Sequence, residues 1–88
     1  MKAVFRKSFL RDLKKLNDPR VRGQVRAVIE AVESTETLGD LPNVKKMSGG
    51  APYYRVRIGD YRVGLAVDDA GVEFVRVLHR KDVYRHFP

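Results

Sequence analysis

The residues in this sequence that are most suited to carry out chemistry are arginines that recur at alternate positions in its second half. They are Arg55, Arg57, Arg62, Arg76 and Arg80. Side chains two positions apart in a β-strand point to the same side of a sheet, so the spacing predicts that these five guanidinium groups share one face. Arginine binds phosphate oxygens through paired hydrogen bonds, and such a face therefore suits a phosphodiester backbone.

The same alternation assigns the neighbouring residues to two faces of the predicted sheet. The arginine face is expected to hold aromatic, small and apolar side chains as well: Tyr53, Gly64, Ala66, Phe74 and Leu78. The core face is expected to be almost wholly apolar: Tyr54, Val56, Ile58, Tyr61, Val63, Leu65, Val67, Val75 and Val77. Gly64 and Ala66 would leave a concavity among the arginines. Because Glu73 falls on the core side, no carboxylate partner is predicted for the arginines, and their repulsion favours a bound anion. A solvated sheet face is the alternative.

The chemistry that these residue types allow is narrow. The sequence shows no Ser/His/Asp arrangement, Walker-type loop or HExxH motif, and its Asp68-Asp69 pair is more typical of a turn than of a metal site. Metal-free cleavage of RNA remains, in which the substrate's 2′-hydroxyl attacks the adjacent phosphate. One well-placed cation would be worth about 3 kcal/mol to the developing phosphorane charge. Binding of a DNA backbone would use the same arginines without the chemistry.

Aromatic and histidine side chains near the arginines complete the set of candidates. Tyr53, Phe74 or Tyr84 could stack on an unpaired RNA base. His79, at the end of a predicted strand, is expected to be packed or to cap a chain end, whereas His86 is expected to be more open.

Composition limits the kind of protein that can carry this face. The chain has 88 residues, with 18 Lys+Arg against 11 Asp+Glu and a net charge of +7. This predicts one small basic domain over residues 1–88. The positive charge favours a polyanionic partner, and the alternative is that it only keeps a small protein soluble. With no cysteine and no apolar run of ~18 residues, we expect a cytoplasmic protein that is neither exported nor inserted in a membrane.

The N-terminal half is predicted to supply a strand and a helical hairpin. Residues 2–6 form a strand candidate, and Ser8 is the expected N-cap of a first helix that ends near residue 17. Asp18 is the expected cap of a second helix, with Pro19 at its first position. This helix has an apolar stripe at helical spacing: Val21, Val25, Val28, Ile29 and Val32.

The C-terminal half is predicted to be a meander of antiparallel strands. Residues 43–50 indicate a basic edge strand or loop that ends in a glycine-rich turn. Turns at 59–60 and 68–71 then separate three alternating strands, and the tail from residue 81 is expected to form no more than a helical turn. The predicted fold is α+β, with the helical hairpin packed on one face of a mainly antiparallel sheet.

This order of elements, with the segments YYRVRIGDYRVGLAV and VRVLHRKDVYRHF, resembles the RelE/ParE superfamily of bacterial and archaeal toxins, and the RelE branch in particular. The resemblance covers nearly the whole chain. It implies a toxin of a type II toxin–antitoxin module that enters the ribosomal A site and cuts mRNA there without metal or cofactor. It also implies a cognate antitoxin that holds the toxin inactive, with DNA contacted only through the antitoxin complex.

The resemblance assigns roles to five catalytic candidates. Arg55 and Arg57 match a lysine pair that faces the RNA, Arg62 matches an arginine that stabilises the transition state, and Arg80 matches a second arginine near the scissile phosphate. Tyr84 resembles a C-terminal tyrosine that stacks on a base or assists proton transfer. Arginine stays protonated and cannot act as a neutral base, so the proton acceptor would be Tyr84 or His86, or would be absent.

Three further residues are expected to bind RNA. Lys45 and Lys46 lie in the loop that the resemblance places against ribosomal RNA, and Arg76 belongs to the arginine face. Two other functions stay open at this point: a ParE-type inhibitor of DNA gyrase on the same fold, and a non-toxic relative that serves mainly to bind an antitoxin.

Overall fold

The computed structural model describes residues 1–47 and 52–88. Its elements are β1 (Ala3–Phe5), α1 (Lys7–Lys15), α2 (Pro19–Ser34), a 3₁₀ turn (Leu38–Asp40), β2 (Val44–Lys46), β3 (Tyr53–Ile58), β4 (Tyr61–Asp68), β5 (Gly71–His79) and α3 (Arg80–His86). The strands form one sheet in the order β1-β5-β4-β3-β2, antiparallel except for the β1–β5 pair. The predicted α+β fold, its edge strand and its meander are confirmed. The predicted glycine-rich turn lies outside the described residues.

The helical hairpin forms as the sequence indicates at its second helix. Asp18 Oδ1 accepts a hydrogen bond of 2.9 Å from the backbone N–H of Arg20, and Pro19 is the first helical residue. Val21, Val25 and Val32 of α2 are buried against the sheet. No helix in the described part of the chain is long and apolar enough to cross a membrane.

The predicted N-cap at Ser8 is wrong, and the reason lies at the edge of the sheet. Arg6 occupies the cap position, and Ser8, inside α1, donates a 2.6 Å hydrogen bond to the carbonyl oxygen of Val75. The strand β1 pairs with β5 only as far as residue 74, which leaves backbone groups beyond it unpaired. Asp12 of α1 satisfies another of them by accepting a 3.1 Å hydrogen bond from the backbone N–H of Val77. Helix α1 thus completes the edge of β5.

A β-bulge in β5 changes the faces that strict alternation assigns. Leu65 of β4 lies opposite Phe74, but Gly64 lies opposite Arg76, so Val75 is an extra residue. Phe74 therefore packs in the core beneath the hairpin, and Val75 packs on the opposite face. The predictions for Phe74 and Val75 are both wrong. Glu73, predicted on the core side, instead forms a 2.7 Å ion pair with Arg6.

The two sides of the sheet are each covered by helix. Beneath the hairpin lies the main core, in which Phe9, Val63, Leu65 and Phe74 are fully buried. On the other side, α3 covers a smaller core formed by Val75, Val83 and Phe87, packed against Met47, Tyr53, Ala66 and Leu78. The tail was expected to form at most one turn; the structure shows a seven-residue helix instead. The predicted concavity at Gly64 is filled by the Phe87 ring.

Candidate functional site: a cationic cleft beside the third helix

A cleft of about 340 Å³ lies between β2, β3, β4 and α3. It is lined by Asn43, Val44, Lys45, Arg55, Arg57, Arg62 and Tyr84. Cross-strand pairing brings the cations together, because Lys45 lies opposite Arg55 and Arg57 lies opposite Arg62. Within residues 1–47 and 52–88, none of these four cations forms an ion pair. The cleft therefore presents uncompensated positive charge to an anion.

Arg62 is held at one end of the cleft by the β3–β4 turn. One of its guanidinium nitrogen atoms, Nη1, donates hydrogen bonds of 2.8 Å to the carbonyl oxygens of Gly59 and Tyr61. Gly59 has φ +54°, a left-handed conformation that glycine adopts without strain. The turn thus fixes the position of the Arg62 charge, and the other nitrogen atoms of the guanidinium group can bind an anion.

Tyr84 projects from α3 over the cations. The Cζ atom of Arg55 lies 5.0 Å from the centre of the Tyr84 ring, and the side chain of Tyr84 is 74% exposed. Arg55 lowers the pKa of the Tyr84 hydroxyl below its ordinary value, first by hydrogen bonding to the phenolate and then by its charge, and Arg62 and Lys45 lower it further. An accessible phenol that loses its proton more readily than usual therefore stands beside a cluster of cations.

Three of the predicted residues lie outside this cleft. Arg76 forms a bidentate ion pair of 2.7 and 3.0 Å with Asp12, so the expectation that it lacks a carboxylate partner is wrong. Arg80 begins α3 instead of ending the last strand, and its 3.9 Å ion pair with Asp60 shows that the expectation of no carboxylate partner is wrong for this residue too. Lys46 lies opposite Tyr54 in the register of β2 and β3, one position out of phase with Lys45. The alternating spacing thus grouped five arginines, of which the structure brings three together.

The predicted aromatic and histidine residues separate in a similar way. Phe74 is buried, and Tyr53 packs edge-on against Phe87 at 5.5 Å, which leaves Tyr84 as the exposed ring of the cleft. His79 is an end-capping residue, since its Nδ1 accepts a 3.1 Å hydrogen bond from the backbone N–H of Lys81 at the start of α3. His86 is exposed at the other end of α3.

Two residues that bear on the site were not singled out from the sequence. Asn43 lines the cleft from the turn before β2 and has φ +63°, a conformation that asparagine tolerates better than most residues. Asp12 is the single acidic residue of α1 and is the ion-pair partner of Arg76. Its isolation among basic and apolar residues was the feature of the sequence that could have indicated a buried carboxylate. In the described segments, no group of three or more His, Asp or Glu side chains is arranged to hold a metal ion.

The chain is similar to known toxins along nearly its whole length. A family model described as the ParE toxin of type II toxin–antitoxin systems, parDE, matches residues 3–84. Toxin RelE3 of Methanocaldococcus jannaschii is 40% identical over 89 residues, with all of both chains covered. The RelB–RelE antitoxin–toxin complex from Methanococcus jannaschii matches with TM-score 0.82 and 36% identity, covering 97% of this chain and 99% of that chain. The toxin–antitoxin complex RelBE2 from Mycobacterium tuberculosis matches with TM-score 0.69 and 31% identity, covering 92% of each chain.

Proposed function

This chain belongs to the ParE toxin family of type II toxin–antitoxin systems, within the RelE/ParE superfamily, and we propose that it is a ribosome-dependent endoribonuclease. It acts in the cytoplasm on mRNA in the ribosomal A site, and it needs no metal or cofactor. A cognate antitoxin holds it inactive, and DNA is contacted only through that complex. The observation that carries the proposal is the exposed Tyr84 hydroxyl beside three arginines and a lysine.

The reaction uses the substrate's own nucleophile. The 2′-hydroxyl oxygen forms a bond to the adjacent phosphorus, the bond from phosphorus to the 5′-oxygen breaks, and the products end in a 2′,3′-cyclic phosphate and a 5′-hydroxyl. Tyr84, as phenolate, accepts the 2′-hydroxyl proton, and a proton from Tyr84 or from water neutralises the leaving 5′-oxygen. Arg55 favours the phenolate that this step needs, as its effect on the Tyr84 pKa indicates.

The arginines stabilise the charge that develops on the phosphate. Arg62, fixed by the β3–β4 turn, is placed to meet the extra negative charge of the phosphorane without reorganising during the reaction. Removal of one such group costs about 3 kcal/mol, or roughly 100-fold in rate. Arg57 and Lys45 bind the phosphates on either side, and Arg76, Arg80 and Lys46 contribute to ribosome and RNA binding outside the cleft.

The test is cleavage of a defined mRNA in a reconstituted translation reaction, mapped by primer extension with and without ribosomes. The wild-type protein should cut only on ribosomes, and Arg62→Ala and Tyr84→Phe should each lower the single-turnover rate. The matched control is Arg85→Ala, which removes an equal charge from an exposed position of α3 outside the cleft and should cleave at nearly the wild-type rate. Intact mRNA with folded wild-type protein would refute the proposal and favour a ParE-type gyrase inhibitor, which a supercoiling assay would reveal.

The antitoxin that we propose as partner contributes an acidic, amphipathic segment. A groove of about 250 Å³ beside α2 offers it an apolar floor that includes Ala27, Val28, Ala31, Leu41 and Val56. The net charge of +7 attracts an acidic segment, so affinity should fall as salt is raised. A complex whose affinity does not change with salt would contradict the electrostatic part of this proposal.

A further inference from the structure

Gly64 lies in the middle of β4, where glycine is normally unfavourable. Its backbone φ is not in the left-handed range, so conformation does not explain it. A Cβ atom there would lie 2.6 to 2.7 Å from three carbon atoms of the Phe87 ring, closer than carbon atoms approach in proteins. Glycine is therefore required because the ring rests directly on the strand backbone.

This contact belongs to the small core that attaches α3 to the sheet. Phe87 is 3% exposed, and Val83, one turn earlier, is 1% exposed. A helix of seven residues is too short to persist in water without tertiary contacts, so its position depends on these two side chains and on the His79 cap. Tyr84 follows Val83 in the same helix and projects toward Arg55.

We propose that Phe87 is a positioning residue, whose ring on Gly64 holds α3 in place and thereby holds Tyr84 over Arg55. Its consequence for catalysis rests on the function proposed above for Tyr84. The geometry itself does not depend on that function, because the arginines of the cleft stand on the sheet and α3 carries the phenol. Loss of the Phe87 ring should therefore separate Tyr84 from cations that stay where they are.

The test is an ultraviolet titration of the phenol, which needs no nuclease activity. The signal of Tyr84 is the difference between the wild type and Tyr84→Phe, and the same difference is measured between Phe87→Ala and the Phe87→Ala/Tyr84→Phe double variant. This subtraction removes Tyr53, which also touches Phe87. The midpoint for Tyr84 should lie below ~10 in the wild type and should move up toward ~10 in Phe87→Ala. An unchanged midpoint in folded Phe87→Ala would overturn the inference.

A variant of the glycine tests the same contact without changing Phe87. Gly64→Ala should displace the ring, because its Cβ atom would lie 2.6 to 2.7 Å from three carbon atoms of Phe87, and it should raise the Tyr84 midpoint as Phe87→Ala does. An unchanged midpoint in Gly64→Ala, with folding verified by circular dichroism, would count against the proposed contact. If Phe87→Ala does not fold, Phe87→Leu removes the ring with a smaller loss of volume and should also raise the midpoint.

Cleavage assays separate this inference from the proposed function. Phe87→Ala should lower the single-turnover cleavage rate at saturating ribosomes. If the wild type does not cleave RNA, the proposed function fails and the titration still decides the role of Phe87. If Phe87→Ala cleaves at the wild-type rate with an unchanged titration, the positioning inference fails and the proposed function stands.

Discussion

Replacement of Asp12 by alanine should destabilise this fold more than removal of any exposed carboxylate. The side chain of Asp12 is 7% exposed and accepts three hydrogen bonds, two from the Arg76 guanidinium and one from the backbone N–H of Val77. These bonds join α1 to the part of β5 that β1 does not reach. Asp12→Ala removes them together.

The size of the effect follows from what is left without a partner. A buried backbone N–H that loses its acceptor costs about 1 to 3 kcal/mol. The Arg76 side chain is 25% exposed, so water partly solvates its guanidinium once the carboxylate is removed. The cost of leaving Arg76 without a partner is therefore smaller than for a fully buried pair. Alanine's higher helix propensity returns about 0.5 kcal/mol. The net loss is about 3 kcal/mol, a large fraction of the roughly 5 to 13 kcal/mol expected for a domain of this size.

Urea unfolding followed by circular dichroism measures this loss. The midpoint for Asp12→Ala should fall by about 2 M with an unchanged slope, and Asp12→Asn, which retains one acceptor, should lose about half as much. The control is Asp69→Ala, an exposed carboxylate in the β4–β5 turn, which should stay within about 0.5 kcal/mol of the wild type. A loss below 1 kcal/mol for Asp12→Ala would refute the reasoning that this contact completes the sheet edge.

Three further outcomes are expected. Arg57→Ala should weaken RNA binding and make the slope of log affinity against log salt shallower by about 0.7, the value for the loss of one phosphate contact to a single strand. An unchanged slope would show that Arg57 does not contact the RNA backbone. If Tyr84 accepts the proton, the cleavage rate should rise with pH, with an inflection at the lowered pKa of Tyr84 and a plateau above it. Arg55→Met should move the inflection to higher pH, and an inflection that Arg55→Met does not move would exclude this coupling. Glu73→Gln should cost less than 1 kcal/mol in urea unfolding, because the Glu73 pair with Arg6 is exposed by 30% and 50%, and a loss comparable to that of Asp12→Ala would contradict this.

Local patterns predicted the helical hairpin and the meander because each depends on residues close together in sequence. The cap at Asp18, the proline after it and the valine stripe of α2 act within one helix. The change from helical to alternating spacing predicted the meander, and Gly59 marked its first turn. Alternation placed Arg55, Arg57 and Arg62 correctly on one face, because these three residues lie on regular strands.

Alternation failed where one residue interrupted the period. Because side chains alternate strictly, the single extra residue Val75 reversed the faces of Phe74 and Glu73. The interruption coincides with α1 bonding to the edge of β5, and Ser8 and Val75 are 67 positions apart in the chain. A pattern read within one strand carries no information about such a partner.

The sequence by itself determined the helical hairpin, the strands, the positive charge of the chain and the cluster of Arg55, Arg57 and Arg62, since all of these follow from local spacing and composition. It did not predict the helix α3. Tertiary structure decided that Asp12 neutralises Arg76, that the small core under α3 uses Val75 and Phe87, and that Tyr84 stands over Arg55. The physical reason is that these contacts join segments far apart in the chain, and their energies exist only once the sheet has brought those segments within a few ångströms of one another.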